Sequence, residues 1–290
     1  MRYVQLRAFH NVAVHGGFSR AAEALFLTQP AISDQVRKLE EEYDILLFNR
    51  DKRQVTLTDK GLQLLEITNR LFDNEQQALD FLTESLALGS GTLRIIVDSA
   101  YHVTPILGAF QLRYPNVRIS LRVGNSQEVI EELYTYHADI GVLGEVTDAH
   151  DLEVIQLDST PLVAFAAKGG IHDGTHSLSY QELAKGPLVM REQGSKTRQS
   201  LEKAASNAGV ELSPTIEAEG REAVREIVAA GNGIGFVSTA EFGQDERLFT
   251  IDLPAPPPMM QEALICLQER RDRKLIKAFM TLTAELFDKT

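Results

Sequence analysis

Two groups of residues have types and spacings that suit chemistry. The first lies in TQPAISDQVRK, residues 28–38. At helical spacing Ala31, Ile32, Val36 and Leu39 fall on an inward side, leaving Gln29, Ser33, Asp34, Gln35, Arg37 and Lys38 near the outer one. Such amide, hydroxyl and charged groups meet the base edges and phosphates of duplex DNA. The second group follows apolar, strand-like runs: Ser99, Ala100, Tyr101 and His102; Asn125 and Ser126; Arg191, Ser195, Thr197 and Arg198; Arg221 and Glu222. Hydroxyls, helix-start N–H groups and arginines together suit a small carboxylate or phosphonate, although Ser195 alone fits a helix cap and the arginines alone fit surface pairs with Glu192 or Glu202. One group is fitted to reading a nucleic acid and the other to holding an anion.

The first group needs a rigid helix presented at an angle. Residues 18–42 predict two helices joined by a short bend at Phe26 and Leu27. Ser19 is placed to cap the first, which carries Ala21, Ala22 and Leu25, and Thr28 is placed to cap the second. Pro30 falls in the first turn, where a missing N–H is harmless. This is a helix-turn-helix pattern, although an ordinary helical hairpin with a solvated face fits residues 18–42 equally well. Residues 46–61, LLFNRDKRQVTLTDKG, separate the two readings. Leu46, Leu47 and Phe48 are expected in the core, with Arg50, Lys52 and Arg53 on a tight turn before an alternating run over 55–58. A basic-tipped hairpin in that place is a wing that grips phosphates or enters a minor groove. A helix over 3–15, with Leu6, Phe9, Val12 and Ala13 inward and His10 and His15 at its surface, completes the head.

Residues 1–60 resemble the winged helix-turn-helix of the LysR-type transcriptional regulators. The resemblance is carried by Leu6, Phe9, Ser19, Ala21, Ala22, TQPAIS at 28–33, LE at 39–40, LLFNR at 46–50 and LTDKG at 57–61. It implies that Gln29, Ser33, Asp34 and Arg37 read bases while Thr28, Lys38, Arg50, Lys52 and Arg53 clamp the backbone. Asp34 departs from the neutral or basic polar residue often found there; it either accepts from a cytosine amino group or acts as a local helix charge.

Residues 59–87 predict one long helix. Leu64, Ile67, Leu71, Ala78 and Phe81 form one stripe, with Leu65, Phe72, Leu79, Leu82 and Leu86 beside it. The resemblance implies that this linker helix pairs two heads, giving a homodimer or a dimer of dimers. Leu88 to Gly91 read as a joint. From Thr92 strands and helices alternate in two sets, with 149–160 and 252–260 the least regular stretches, which argues for parallel sheets covered by helices. The element order resembles the effector-binding half of the same family, built like a periplasmic solute-binding protein. The expected class is therefore α+β multi-domain: a winged helix-turn-helix over 1–58, a linker helix and hinge over 59–91, and a two-lobed α/β effector domain over 92–290. Lobe I would take 92–161 and 268–290 and lobe II 162–267, with crossings near 160–164 and 264–268. An anionic effector would sit between the lobes, and Glu222 or Glu192 would add a contact for an ammonium group, making a zwitterion.

Composition narrows the rivals. The net charge is −12, yet residues 1–58 balance to +1, so the remainder carries −13. The head is only locally basic, and the acidic bulk suppresses indiscriminate DNA binding. The single Cys266 sits in an apolar strand and excludes an internal disulfide. No run reaches membrane-spanning length and no leader pattern opens the chain, which points to the cytoplasm and against a membrane partner or a transport solute-binding protein. Seven histidines without ligand spacing argue against a metal, and no cofactor motif stands out. An enzyme would need an acid–base pair in the cleft, for which only His102 offers itself. The partners expected are double-stranded operator DNA, a small effector and a second copy, with RNA polymerase left open. A ligand-independent DNA-binding protein is the remaining alternative.

Overall fold

The computed structural model describes residues 3–49, 55–82, 91–144, 146 and 150–287. The chain forms two compact units, residues 1–85 and 86–290.

The first unit contains α1 (Tyr3–His15), α2 (Phe18–Ala24), α3 (Gln29–Tyr43), the two-stranded β1 (Phe48–Asn49) and β2 (Thr56–Leu57), and α4 (Asp59–Leu82). Its core joins Phe9 and Val12 of α1, Ala21 and Ala22 of α2, Ile32, Val36 and Leu39 of α3, and Leu47 and Phe48. Buried Glu40 ties α3 to the hairpin by accepting from Leu47 N at 2.8 Å and Phe48 N at 3.3 Å. Gly61 is required where α4 starts, because a Cβ there would lie 2.2 Å from the Leu47 carbonyl oxygen.

Several local expectations change. Gly17, not Ser19, holds the cap position of α2, because the turn at Gly16 (φ +63°) starts the helix two residues earlier. Thr28 is at the cap of α3, but its hydroxyl makes no cap bond. Ala31 is exposed, and Leu46 is 65% exposed. Asp44 turns the chain in the left-handed region (φ 51°), and the extended residues after it alternate so that Leu47 points inward. His10 faces α4 rather than solvent: its Nδ1 lies 3.2 Å from Thr68 Oγ1 and its ring 4.6 Å from that of Phe72. Burial, with a smaller push from His15, takes its pKa down to about 4.

In the second unit, lobe I contains β3 (Gly91–Val97), α5 (Ala100–Arg113), β4 (Val117–Val123), α6 (Ser126–Tyr134) and β5 (Ile140–Gly144). β6 (Leu152–Ala167) runs on into lobe II. Lobe II adds α7 (Tyr180–Leu183), β7 (Val189–Arg191), α8 (Lys196–Asn207), β8 (Ile216–Ala218), α9 (Arg221–Ala229), β9 (Gly235–Ser238), α10 (Thr239–Phe242) and β10 (Leu248–Ile251). The chain returns through β11 (Met259–Leu267) and closes with α11 (Lys274–Phe287) against α5. One apolar core gathers Ile95, Phe110, Val142, Leu264 and Phe279, and another gathers Leu162, Leu188, Leu201, Phe236 and Ile251. Cys266 is buried in the first, and burial pushes its thiol up to about 12, so it is inert.

The sheets are mixed, not parallel throughout. β3 runs parallel to β4 and β5, but β11 is antiparallel to β5 and β6, and β6 is antiparallel to β9 and β10. The stretch expected to be irregular, 149–160, is largely the first half of β6; its outward polar residues mask the alternation. The second crossing also moves. Glu262–Ile265 pair with β5, so lobe I begins at Glu262 and the chain crosses near 259–262, not 264–268. The ladder between β6 and β11 slips at Glu262/Ala263, the bend a strand needs when it changes sheets.

Candidate functional site

On α3 the outer residues form a self-neutralising array. Asp34 pairs with Arg37 at 2.8 Å and Lys38 at 2.7 Å, and Arg37 also reaches Glu41 at 3.0 Å. Hydrogen bonds from Lys38 and then Arg37 hold the Asp34 carboxyl below its usual range. These pairs are those of a local helix charge, one of the two roles expected of Asp34. Gln29 and Pro30 in the first turn are exposed, as are Ser19 and Thr28, whereas Ser33 and Gln35 are half-buried. Phe26, at the bend with φ 56°, stands almost wholly in solvent beside them. Arg50, Lys52 and Arg53 lie outside the described residues.

In the second unit the four expected strand-end segments are helix starts or their caps. Ser99 caps α5, accepting from Tyr101 N at 3.3 Å. That cap starts the helix at Ala100, so Pro105 lies inside it. Asn125 caps α6 in a reciprocal box with Glu128. Ser195 precedes α8 without a cap bond, and Gly220 precedes α9. The starts of α6 and α8 face one another across the lobes: a Cβ on Gly194 (φ +89°) would lie 3.0 Å from Asn125 Oδ1. Beside them lies a cleft of about 610 Å³ between the two helices, with Ser126, Ile130, Tyr134, Gly194, Lys196 and Gln199 in its lining.

The expected arginines are committed elsewhere. Buried Arg191 makes two bonds to Glu192, at 2.8 and 2.7 Å. Arg198 binds Glu202 at 2.7 Å, the Arg191 carbonyl at 2.9 Å, and Glu217. Arg221 reaches across to the Asp98 carbonyl at 3.4 Å and pairs with Glu241 at 2.5 Å. Glu192 is held by Arg191 and by Gly220 N, while Glu222 and the Ala100 and Tyr101 side chains are exposed. The Glu192 carboxylate expected to meet an ammonium group is thus already paired within the chain. The cation left in the cleft is Lys196, which makes no ion pair with any described residue; its place directly after Ser195, at the first position of α8, was the sequence signal for it.

A buried polar cluster joins the lobes next to this cleft. Asp98, at the end of β3, accepts from Ser126 Oγ at 2.9 Å and Gly144 N at 3.0 Å. His102 Nε2 lies 3.4 Å from Glu241 Oε1 and 3.9 Å from Glu262 Oε1. Glu241 Oε2 accepts from Ser238 Oγ at 2.7 Å. Burial alone would raise the Glu241 carboxyl, but His102, Arg221, Ser99 and Ser238 outweigh it and hold it at about 2. Burial, then the charges of Asp98 and Glu241, push Glu262 up to about 9. Burial also raises Asp98, against the opposing charge of Arg221. His102, Glu241 and Glu262 bring donor atoms within 4.8 Å of one another, a convergence from three elements that sequence spacing could not reveal. Asp98, Glu241 and Glu262 are the residues sequence reasoning missed. The available signal was Glu262 itself, a carboxylate opening the apolar run Ala263–Leu267.

A DNA-reading helical head on the same chain as a two-lobed α/β domain with a polar interlobe cleft defines the class of ligand-responsive transcription regulators. Residues 3–62 match the helix-turn-helix of the lysR family of bacterial regulatory proteins and residues 87–288 match the LysR substrate binding domain. The chain belongs to the LysR family. It is 32% identical over 279 residues to a RuBisCO operon transcriptional regulator of Allochromatium vinosum, covering 94% of this chain and 91% of that one. Full-length OxyR from Pseudomonas aeruginosa shares its fold at a TM-score of 0.80 and 18% identity, over 98% of this chain and 95% of the other. The regulatory domain of Synechocystis CcmR, in complex with 2-PG, matches at 0.61 and 22% identity over 70% and 99%. The chain is a DNA-binding transcriptional regulator and not an enzyme.

Proposed function

We propose that this regulator binds double-stranded operator DNA through α3 and the hairpin after it, and that a small anionic metabolite between the lobes controls the outcome. The observation carrying the effector half is Lys196: an ammonium without a described ion-pair partner, at the start of α8 and lining the interlobe cleft. The dipoles of α6 and α8 add to it, because both helices present their N-terminal ends there. Ser126, Ser195 and Thr197 supply hydroxyls, while the arginines shape the walls through their glutamates. The 2-PG complex of the related CcmR domain supports the same kind of ligand. Ligand that closes the lobes acts by unequal affinity for two arrangements, and the heads follow.

The functional unit on this reading is a homodimer or a dimer of dimers in the cytoplasm, with RNA polymerase as a further partner. Supporting it, α4 carries Leu62, Ile67, Leu71, Leu79 and Leu82 in solvent, with Ile67 55% and Leu82 77% exposed. No described helix is long and apolar enough to cross a membrane. The test of the effector site is Lys196→Met, which keeps the stem and deletes the charge. Affinity for an effector found by thermal-shift screening should fall by about tenfold or more, since a charged hydrogen bond contributes about 1.5–3 kcal/mol. Unchanged affinity would remove the site.

A further inference from the structure

The cluster at the lobe seam has a feature the anion site does not explain. Asp98 Oδ1 and both Glu262 carboxylate oxygens are buried without a hydrogen-bond partner among the described residues, whereas Glu241 Oε1 faces Arg221 at 2.5 Å and His102 Nε2 at 3.4 Å. Glu262 is only 1% exposed, so its carboxylate is withdrawn from bulk solvent. Unmade hydrogen bonds of buried charged groups are costly, and such a group in a native fold asks for a missing partner. Each of these three unpartnered oxygens can act as an acceptor. The missing partner is therefore a donor carrying positive charge.

We propose that the interlobe site takes a zwitterion, with a primary ammonium group among Asp98, Glu241, Glu262 and His102 and an acidic group at the starts of α6 and α8. The proposal rests on the effector reading above and names its ligand class. Asp98 links the two halves of the site, since its bonded Oδ2 holds Ser126 while its Oδ1 is the free acceptor. Gly144 links them too: a Cβ there would lie 3.5 Å from Glu262 Oε1 and 3.6 Å from Lys196 Cβ. Access follows from where the residues reside. Asp98 and His102 belong to lobe I, Arg221 and Glu241 to lobe II, and Glu262 to the crossing strand, so opening the lobes uncovers the cluster and closing them buries the ligand.

An ammonium suits this cluster better than a divalent metal ion. Glu241 Oε1 already takes the Arg221 guanidinium at 2.5 Å, and a doubly charged ion on that oxygen would sit against a fixed cation. An ammonium carries one charge, donates three hydrogen bonds and can lean toward Glu262 and Asp98. It would also favour the ionised form of those two carboxyls, which burial holds toward the protonated form, so binding releases protons.

The test uses the full-length protein and three pairs of probes by calorimetry. β-Alanine, taurine and 2-aminoethylphosphonate are each compared with the acid lacking the amine: propionate, ethanesulfonate and ethylphosphonate. At least one amino member should bind about 100-fold tighter than its partner, because a site built to bond a polar group rejects the analogue without it. That binding should release protons, read as a heat that depends on the buffer. Glu262→Gln, which preserves volume and fold, should erase most of the preference and the proton release while leaving the weak affinity for the des-amino acid. Des-amino acids binding as tightly as their partners would overturn the ammonium site and leave the anionic-effector reading standing. Saturable binding of Zn²⁺ alone, lost in Glu262→Gln, would overturn it in favour of a metal. Binding of neither member of any pair would count against both readings.

Discussion

Two buried carboxylate clusters in the effector domain make a controlled comparison. At the foot of lobe I, Asp139 accepts from Arg94 Nε at 3.1 Å and Nη2 at 2.7 Å, from Arg94 N at 2.9 Å and from Arg270 Nη2 at 2.7 Å. Burial alone would raise its pKa, but Arg94 and Arg270 outweigh that and lower it. At the lobe seam, Asp98 and Glu262 are as deeply buried, and their pKa values move up instead. Burial is common to both; partners differ. The first cluster is complete within the chain and fastens one lobe together. The second lacks such donors among the described residues, which on the proposal above marks binding rather than stability.

The largest effect should come from making the first cluster resemble the second. Arg270 is buried, donates to the Ala138 carbonyl at 3.0 Å and stacks over Tyr136 at 5.0 Å. Arg270→Ala leaves Asp139 with Arg94 alone and should cost about 3 kcal/mol, the lower end for breaking a buried pair, read by urea unfolding. A loss under about 1 kcal/mol would mean that Arg94 and solvent satisfy Asp139 and that the contrast is weaker than drawn. The reciprocal change, Glu262→Gln in the ligand-free protein, should not destabilise.

Acid should separate the two units of the chain, with opposite signs. Glu262 binds a proton more tightly in the folded protein, so between its ordinary pKa and about 9 the folded state holds more protons and stability falls as pH rises. Lowering the pH from 7 to 5 therefore stabilises the lobe seam. His10 behaves in the reverse way: its pKa of about 4 means the unfolded head takes up protons first, between its ordinary value and that one. The neutral form's contribution is whole above that window and is lost as pH falls through it, amounting to roughly 2 kcal/mol by pH 5. Region-resolved hydrogen exchange on the full chain at pH 7 and pH 5 should show β11 protected and α1 loosened. Parallel changes in the two would break the argument.

Why the head was legible and the seam was not follows from distance along the chain. Gln29–Tyr43 announces its own face, cap position and proline placement within fifteen residues, and Glu40 reaches only to Leu47 and Phe48. Misplacements there, such as Ser19 for Gly17 at the cap, were errors of one or two residues. The seam draws Asp98, His102, Glu241 and Glu262 from four elements, and only the crossing of β6 and β11 brings them together. The fold's two lobes were readable from alternating elements, but the long β6 hid behind its polar outward residues. The arginines of the anion loop illustrate a further limit: types and spacing marked Arg191 and Arg198 as ligands, and the adjacent Glu192 and the helical neighbour Glu202 consume them.

The smallest effect expected returns to the head, whose ion pairs are exposed and exchangeable where those of the seam are not. Asp34 occupies Arg37 and Lys38 at the surface that would meet DNA, so each must leave a partner before it reaches a phosphate or a base. Asp34→Asn keeps the shape and removes that competition. Affinity for unrelated duplex DNA should rise a few-fold, and the plot of log affinity against log salt should steepen by about 1 as one more charge is neutralised. If Asp34 instead reads a cytosine amino group, the same variant would weaken operator binding at one base pair by about 1–3 kcal/mol while barely changing unrelated DNA. Fluorescence anisotropy on operator and unrelated duplexes across a salt series separates these outcomes. The first would mean that the head restrains its own charge to limit indiscriminate binding, as the acidic remainder of the chain also does.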